Sequence, residues 1–171
     1  MRTGGNMGFT LVELLVVISI IGLLAIALGF SYVGWMGSYK VESATKGLFS
    51  DMMDARARAM QTNSTYLIDF TATSYRIGND TNGNGAIDNA EILPTFPKTV
   101  GYPLVGGVGV ILTFNPRGLI SSGNPPVLID PATPVTISLT STTAPDYDCI
   151  VMSETRLNIG QMTPGGVCNA K

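Results

Sequence analysis

The chain has 171 residues, a length that fits one domain and one additional anchoring segment. Its net charge of −2 and its 13% of charged residues do not supply the clustered positive charge that grips nucleic acid. The sequence contains no histidine, which excludes Ser–His or Cys–His catalysis and any metal site with histidine ligands. We find no P-loop, no Gly-x-Ser-x-Gly and no dinucleotide-binding glycine motif. The sequence therefore predicts a protein that is not an enzyme.

The N-terminal stretch combines one carboxylate with a long apolar run. The segment Gly8-Phe9-Thr10-Leu11-Val12-Glu13 is followed by a stretch, from Leu14 to Tyr39, that carries no charged residue. About 20 apolar residues in a helix cross a bilayer, so the sequence predicts a membrane span here. A carboxylate at the membrane costs free energy, which predicts a partner for Glu13. The alternatives are a secretory signal peptide, whose apolar region is only about 7–15 residues, and a plain anchor, which leaves Glu13 unexplained.

This N-terminal segment resembles the class III signal of type IV pilins and type II secretion pseudopilins. The resemblance implies that a prepilin peptidase cleaves between Gly8 and Phe9 and that Phe9 is then N-methylated. Glu13 would lie about one helical turn from the new amino group. In the family this glutamate meets the N-terminal amine of a neighbouring subunit, so Glu13 is expected to fix the axial register of assembly. The leader departs from the family pattern at Met7, where a lysine or arginine is usual.

The helix is predicted to run from about Thr10 to about Gln61. Its second half carries apolar residues at spacings of three and four, which are Val41, Ala44, Leu48, Met52, Ala55 and Ala59. The charged residues lie mainly on the other face, and the cluster Thr62-Asn63-Ser64 is expected to end the helix. This half is therefore predicted to be amphipathic and to cover a sheet.

Short strands are predicted after Ser64, separated by many prolines and glycines. The expected strands are 66–70, 75–77, 108–115, 127–130, 135–139, 149–152 and 156–159. They form one antiparallel sheet or two sheets. The predicted fold class is α+β, with one long N-terminal helix, transmembrane in its first half and amphipathic in its second, packed on an antiparallel β-sheet head. The predicted parts are a leader at 1–8, a transmembrane and filament-core helix at 9–39, and a periplasmic or extracellular head at 40–171.

Three further stretches resemble GspH/FimT-type minor pilins. They are Leu48–Phe70, Leu112–Gly118 and the segment from Ile150 to Leu157. DNA-binding members of that group end in a basic hairpin with two arginines. Here Arg156 is the single arginine of the hairpin and Glu154 lies close to it, which argues against nucleic acid as a partner.

The resemblance implies a structural subunit, a minor pilin or pseudopilin, of a type IV pilus or type II secretion filament. The implied partners are other pilins or pseudopilins, the prepilin peptidase and an inner-membrane assembly platform. The implied location is the bacterial inner membrane, as a single-pass protein with its head in the periplasm, and then the filament. The alternatives are a binding module at the filament tip, for DNA uptake or adhesion, and a major filament subunit.

The sequence contains two cysteines, Cys149 and Cys168. A disulfide between them is expected because the chain resembles exported proteins, and the family often carries a disulfide near its C-terminus. Closing this loop would stabilise the head by about 3 kcal/mol. Two free thiols are the alternative.

The stretch from Asp80 to Glu91 fits the twelve-residue calcium-loop pattern at each fixed position. The predicted ligands are the side chains of Asp80, Asn82, Asn84, Asp88 and Glu91 and the carbonyl group of Ala86. With three carboxylates the affinity would suit millimolar calcium. The alternative is a long connection between strands, rich in Asn and Gly because these residues form turns. No cofactor is expected to be required, and Ca²⁺ is the candidate ligand.

Overall fold

The computed structural model describes residues 9–171, leaving aside the side chains of residues 27–33. The predicted leader, residues 1–8, lies outside the described residues. The chain divides into two compact units, Met1–Gly37 and Ser38–Lys171. The boundaries predicted at 8/9 and 39/40 stay predictions.

A single helix, α1, spans Leu11–Thr62. At its start the Thr10 hydroxyl accepts a hydrogen bond from the backbone N–H of Glu13 over 3.2 Å, as an N-cap residue does. At its end Asn63 adopts a positive φ of 50°, and the Ser64 N–H donates to the Ala59 carbonyl group. This left-handed residue closes the last turn. The predicted long helix is confirmed, and it extends one residue past the predicted end.

No helix among the described residues is long and apolar enough to cross a membrane. The membrane span predicted within residues 9–39 stays a prediction. The uncharged run on which that prediction rests includes residues 27–33, whose side chains are not described.

The head contains eleven strands in two antiparallel sheets. The strands are β1 Tyr66–Phe70, β2 Ser74–Asn79, β3 Lys98–Thr99, β4 Leu104–Val105, β5 Ile111–Phe114, β6 Ile120–Ser122, β7 Val127–Leu128, β8 Val135–Leu139, β9 Cys149–Met152, β10 Leu157–Met162 and β11 Cys168–Ala170. The first sheet has the order β3-β2-β1-β5-β6-β7. The second has the order β11-β10-β9-β8-β4. The predicted α+β class is confirmed.

The strands that the sequence did not predict are the short ones, β3, β4, β6 and β11, of two or three residues each. The strand predicted at 108–115 begins only at Ile111, because Gly109 adopts a positive φ of 76° inside a turn. These differences leave the predicted order of longer elements along the chain unchanged.

One hydrophobic core joins the second half of α1 to both sheets. The helix contributes Val41, Leu48, Met52, Ala55 and Ala59, and the strands contribute residues such as Phe70, Phe114, Ile137 and Ile150. Ala44, predicted to be buried, is only partly so, and Thr45 is fully buried beside it. The Thr45 hydroxyl donates to the Val41 carbonyl group over 2.9 Å, which satisfies this polar group inside the core.

The other face of the first sheet is partly covered by the loop between β2 and β3. Ile87 from this loop is buried, and a Cβ atom built on Gly78 of β2 would lie 2.8 Å from the Ile87 Cγ2 atom. A side chain at residue 78 would therefore push the loop away. The predicted calcium loop, residues 80–91, belongs to this covering segment.

Candidate functional site

In the N-terminal unit the apolar side chains of α1 are exposed around the whole helix. Between residues 11 and 26 the large apolar side chains are about half exposed or more, from 48% for Val16 to 80% for Leu11. They include the consecutive positions Val16, Val17 and Ile18, so they cannot belong to a single stripe. A helix that is apolar all round needs lipid or other helices around it. This segment is the candidate assembly surface.

The predicted processing and register residues lie at the start of this surface. Phe9 is 84% exposed, and Glu13 lies in the first turn of α1. A carboxylate in the first turn is favoured by the helix dipole. Among the described residues, no salt bridge engages the Glu13 carboxylate. Gly8 lies outside the described residues. Of the two residues that flank the predicted cleavage site, the structure therefore describes Phe9 alone.

Two family models match the chain. Residues 44–155 match the model described as type II transport protein GspH. The chain belongs to the GspH family. Residues 8–29 match the prokaryotic N-terminal methylation motif, and this match includes the whole candidate assembly surface. Neither a curated protein nor a solved structure matches the chain.

The two matches make the chain a pseudopilin or minor pilin subunit of a type II secretion or type IV pilus filament. Members of these families are structural proteins that assemble with other pilins or pseudopilins. The N-terminal motif implies a filament subunit that is anchored in a membrane.

The predicted disulfide is present in the head. Cys149 in β9 is bonded to Cys168 in β11. Strand β10 lies between these two strands in the second sheet, so the bond links the edge strand β11 to β9 across β10. Cys149 is fully buried, which shields its sulfur atom from solvent.

A polar cluster that the sequence did not reveal ties α1 to the first sheet. The Asp51 carboxylate accepts a hydrogen bond from the Tyr75 hydroxyl and two from the Lys98 ammonium group, at 2.8 and 2.7 Å. Burial, reinforced by the hydrogen bond to Asp51, raises the pKa of Tyr75. The partners of Asp51 lie 24 and 47 residues away, and no local motif connects them. We call these three residues the Asp51 cluster.

The structure brings the side chains of the predicted calcium loop together. The Asp80 carboxylate accepts hydrogen bonds from the N–H groups of Asn84 and Gly85, at 3.1 and 3.2 Å. The Asp88 carboxylate accepts from the side-chain amides of Asn82 and Asn84. These bonds draw the loop residues together, and each carboxylate keeps further lone pairs.

Glu91, the last predicted ligand, closes the same loop. Its carboxylate accepts hydrogen bonds from the Thr81 hydroxyl at 2.7 Å and the Thr81 N–H at 2.8 Å. The Thr81 hydroxyl is the main cause of a lowered pKa at Glu91. In the described residues no group of three or more His, Cys, Asp or Glu side chains is arranged to hold a metal ion. Calcium binding stays a prediction.

Proposed function

We propose that a prepilin peptidase cleaves this chain between Gly8 and Phe9, that Phe9 is N-methylated, and that the mature chain enters a filament through α1. The observation that best supports this proposal is the exposed apolar surface from Leu11 to Ile26. Packing between subunits would bury this surface. Because the helix would come from lipid, van der Waals packing between helices would stabilise it in the filament. The head, whose apolar residues already form a core, has no comparable helical surface to offer.

Glu13 is proposed to fix the axial register of the packed helices. Its carboxylate would pair with the Phe9 amino group of a neighbouring subunit. An unpaired charge inside an apolar bundle is strongly unfavourable, so only the register that forms the pair is stable. The position of Glu13 in the first helical turn, close in sequence to Phe9, supports this assignment.

Before assembly, the chain is proposed to be held in the bacterial inner membrane by its N-terminal segment, with the head in the periplasm. Its proposed partners there are the prepilin peptidase, the inner-membrane assembly platform and other pilins or pseudopilins. The N-terminal methylation motif and the uncharged sequence from Leu14 to Tyr39 support this location.

The proposal is tested with Glu13→Gln and Glu13→Ala, expressed in a strain that lacks the wild-type chain. Both variants should be cleaved and membrane-associated like the wild type, because neither changes the cleavage site. Their amount in sheared filaments, measured by immunoblot, should fall by about tenfold or more, since breaking a buried ion pair costs more than the 1.4 kcal/mol of a tenfold change. Ser19→Ala is the matched control, because Ser19 is an exposed polar residue of the same segment. Wild-type incorporation of both Glu13 variants would refute the role of Glu13.

We further propose that the filament is the pseudopilus of a type II secretion system, because the family match that covers the head is described as type II transport. A deletion strain separates the two machines. Loss of secreted proteins with intact surface pili would support the pseudopilus. Loss of pili with normal secretion would instead identify a pilus subunit.

Finally, we propose that the Asp80–Glu91 loop binds Ca²⁺ at millimolar concentration. The spacing of the six predicted ligands supports this proposal, as does their gathering in one loop. Calcium at about ten times its dissociation constant would stabilise the folded head by about 1.4 kcal/mol. Thermal unfolding of the full chain should shift upward with CaCl₂, and Asp80→Ala should abolish the shift. Asp146→Ala, an acid outside the loop, should retain it, and an unchanged wild-type transition would contradict the proposal.

A further inference from the structure

A groove of about 650 Å³ lies on the outer face of the first sheet. Its floor contains Thr113 of β5 and Ser121 of β6, which are directly paired across the two strands. One wall is the segment Gly83-Asn84-Gly85 of the β2–β3 loop, and the other is Asn124-Pro125-Pro126 between β6 and β7. The groove is separate from the candidate assembly surface of α1.

The two walls of the groove are joined to each other. The Asn124 side-chain amide donates to the Asn84 carbonyl group over 3.3 Å. A Cβ atom built on Gly85 would lie 3.1 Å from the Asn124 Oδ1 atom, so a larger residue would crowd this contact, and the φ of 71° at Gly85 also favours glycine. The contact holds both walls over the paired strands and gives the groove a defined shape.

The floor carries two hydroxyl groups that the chain itself does not use. Thr113 and Ser121 are each only 6% exposed, and both line the groove. Their strand neighbours Leu112, Phe114 and Ile120 point into the core, which places the two hydroxyls on the groove side. No hydrogen bond between described residues engages either hydroxyl. The two hydroxyls are therefore open to the groove and available to a ligand with polar atoms.

The remaining polar groups of the groove favour an uncharged ligand. Asp80 and Arg117 both line it, and their opposite charges cancel. The Asn115 Oδ1 atom already accepts from the N–H groups of Arg117 and Leu119, at 2.9 and 3.0 Å, which leaves its amide nitrogen as a donor. Hydroxyl groups both donate and accept, so Thr113 and Ser121 are complementary to a ligand that carries hydroxyls of its own.

We propose that this groove binds a neutral oligosaccharide. An extended peptide is less well matched, because β5 and β6 each have a strand on both sides and offer no free edge for strand addition. A polyanion would meet only one arginine, with the Asp80 carboxylate in the same groove. Leu119 and Leu128 supply apolar contact for a sugar ring.

The test is a titration of the ¹⁵N-labelled full chain, in a detergent without a sugar headgroup, followed by amide chemical shifts. The probes are maltotriose, cellotriose and N,N′,N″-triacetylchitotriose. At least one should cause saturable shifts in β5, β6 and residues 83–85. The double variant Thr113→Val/Ser121→Ala, which removes both hydroxyls, should weaken its binding by about tenfold, since each lost hydrogen bond accounts for a few-fold change. Ser138→Ala, a similarly buried serine of β8 outside the groove, should bind like the wild type.

Three results would overturn this proposal. The first is the absence of shifts with all three trisaccharides at tens of millimolar. The second is equal binding by the double variant. The third is binding of the tripeptide N-acetyl-Val-Leu-Ser-amide, with shifts of the same amides, in place of the sugars. Because the readout uses the isolated chain, none of these results bears on filament assembly through α1.

Discussion

Helix α1 presents two different kinds of surface along its length. In the N-terminal unit, Leu23 and its apolar neighbours are exposed on every side of the helix. In the head, apolar residues such as Leu48 lie on one face and are buried against two sheets. The same residue type thus serves two purposes. At Leu48 it stabilises the fold of one molecule, and at Leu23 it is available to join molecules together.

The strongest test of this difference between the two surfaces is to make the same substitution in both of them. Leu48→Ala should lower the free energy of unfolding of the head by about 2–5 kcal/mol, because it leaves a cavity in the core. Leu23→Ala should change it by less than about 0.5 kcal/mol, because residue 23 is 71% exposed and is not part of that core. Urea unfolding of the full chain in detergent, followed by near-ultraviolet circular dichroism, measures both.

Filament incorporation should show the opposite ranking for variants that remain folded. At a temperature where Leu48→Ala is still folded, its incorporation should be closer to wild type than that of Leu23→Ala. If Leu23→Ala destabilises the head as much as Leu48→Ala does, the two surfaces are not distinct.

The disulfide provides the second test, because it should matter to the head alone. Cys149→Ala/Cys168→Ala, which opens a loop with a sequence separation of 19, should lower the free energy of unfolding of the head by about 3 kcal/mol. Reduction of the wild type should have a similar effect in the same urea titration. The helical signal of a peptide covering residues 9–37 would serve as the control and should not respond to reductant.

A second comparison can be made within the head, between two acidic residues that lie three positions apart on α1. One, Asp51, belongs to the Asp51 cluster, and the other, Asp54, is exposed. Asp51→Ala should lower the free energy of unfolding of the head by about 1–3 kcal/mol, because it removes the partner of the partly buried Tyr75 hydroxyl and of Lys98. Asp54→Ala removes an exposed salt bridge with Arg58 and should lower the same free energy by about 0.5 kcal/mol or less. Equal losses in the urea titration would mean that the cluster contributes nothing beyond an exposed ion pair.

The smallest predicted effect is a pH dependence at the same cluster. The pKa of Tyr75 is raised in the folded head, whereas that of an unfolded tyrosine is about 10. The stability that this difference contributes is therefore fully present below about pH 10 and is lost as the pH rises toward the folded value. Tyr75→Phe should reduce the loss of stability between pH 9 and 11. A variant with the unchanged alkaline slope of the wild type would contradict the assignment to Tyr75.

The longer elements could be predicted because their signals are local. The helix follows from spacings of three and four between Val41 and Ala59, and its end follows from Asn63, which tolerates the left-handed conformation. The strands Val135–Leu139 and Cys149–Met152 were predicted at their observed bounds because they are continuous β-forming stretches. Strands of two or three residues, such as β3 and β4, carry too few side chains to show a period.

The candidate site residues likewise divide into those that the sequence could predict and those that it could not. Phe9, Glu13 and the Asp80–Glu91 loop could be proposed because each belongs to a contiguous motif. The Asp51 cluster could not, because its members are distant in sequence and meet only when β2 and β3 lie beside α1. Thr113 and Ser121 look like ordinary strand residues until the order β5-β6 makes them neighbours on the outer face.

The sequence by itself determined the helix, the apolar N-terminal surface, the disulfide partners and the α+β class, since periodicity, composition and cysteine count act locally or need no geometry. Only the tertiary structure decided the order of strands in the two sheets, the burial of Thr45, the Asp51 cluster and the groove over Thr113 and Ser121. The physical reason is that strand pairing joins residues that are far apart in the chain. Many pairings satisfy the same local pattern, and the packing of the whole core selects one of them.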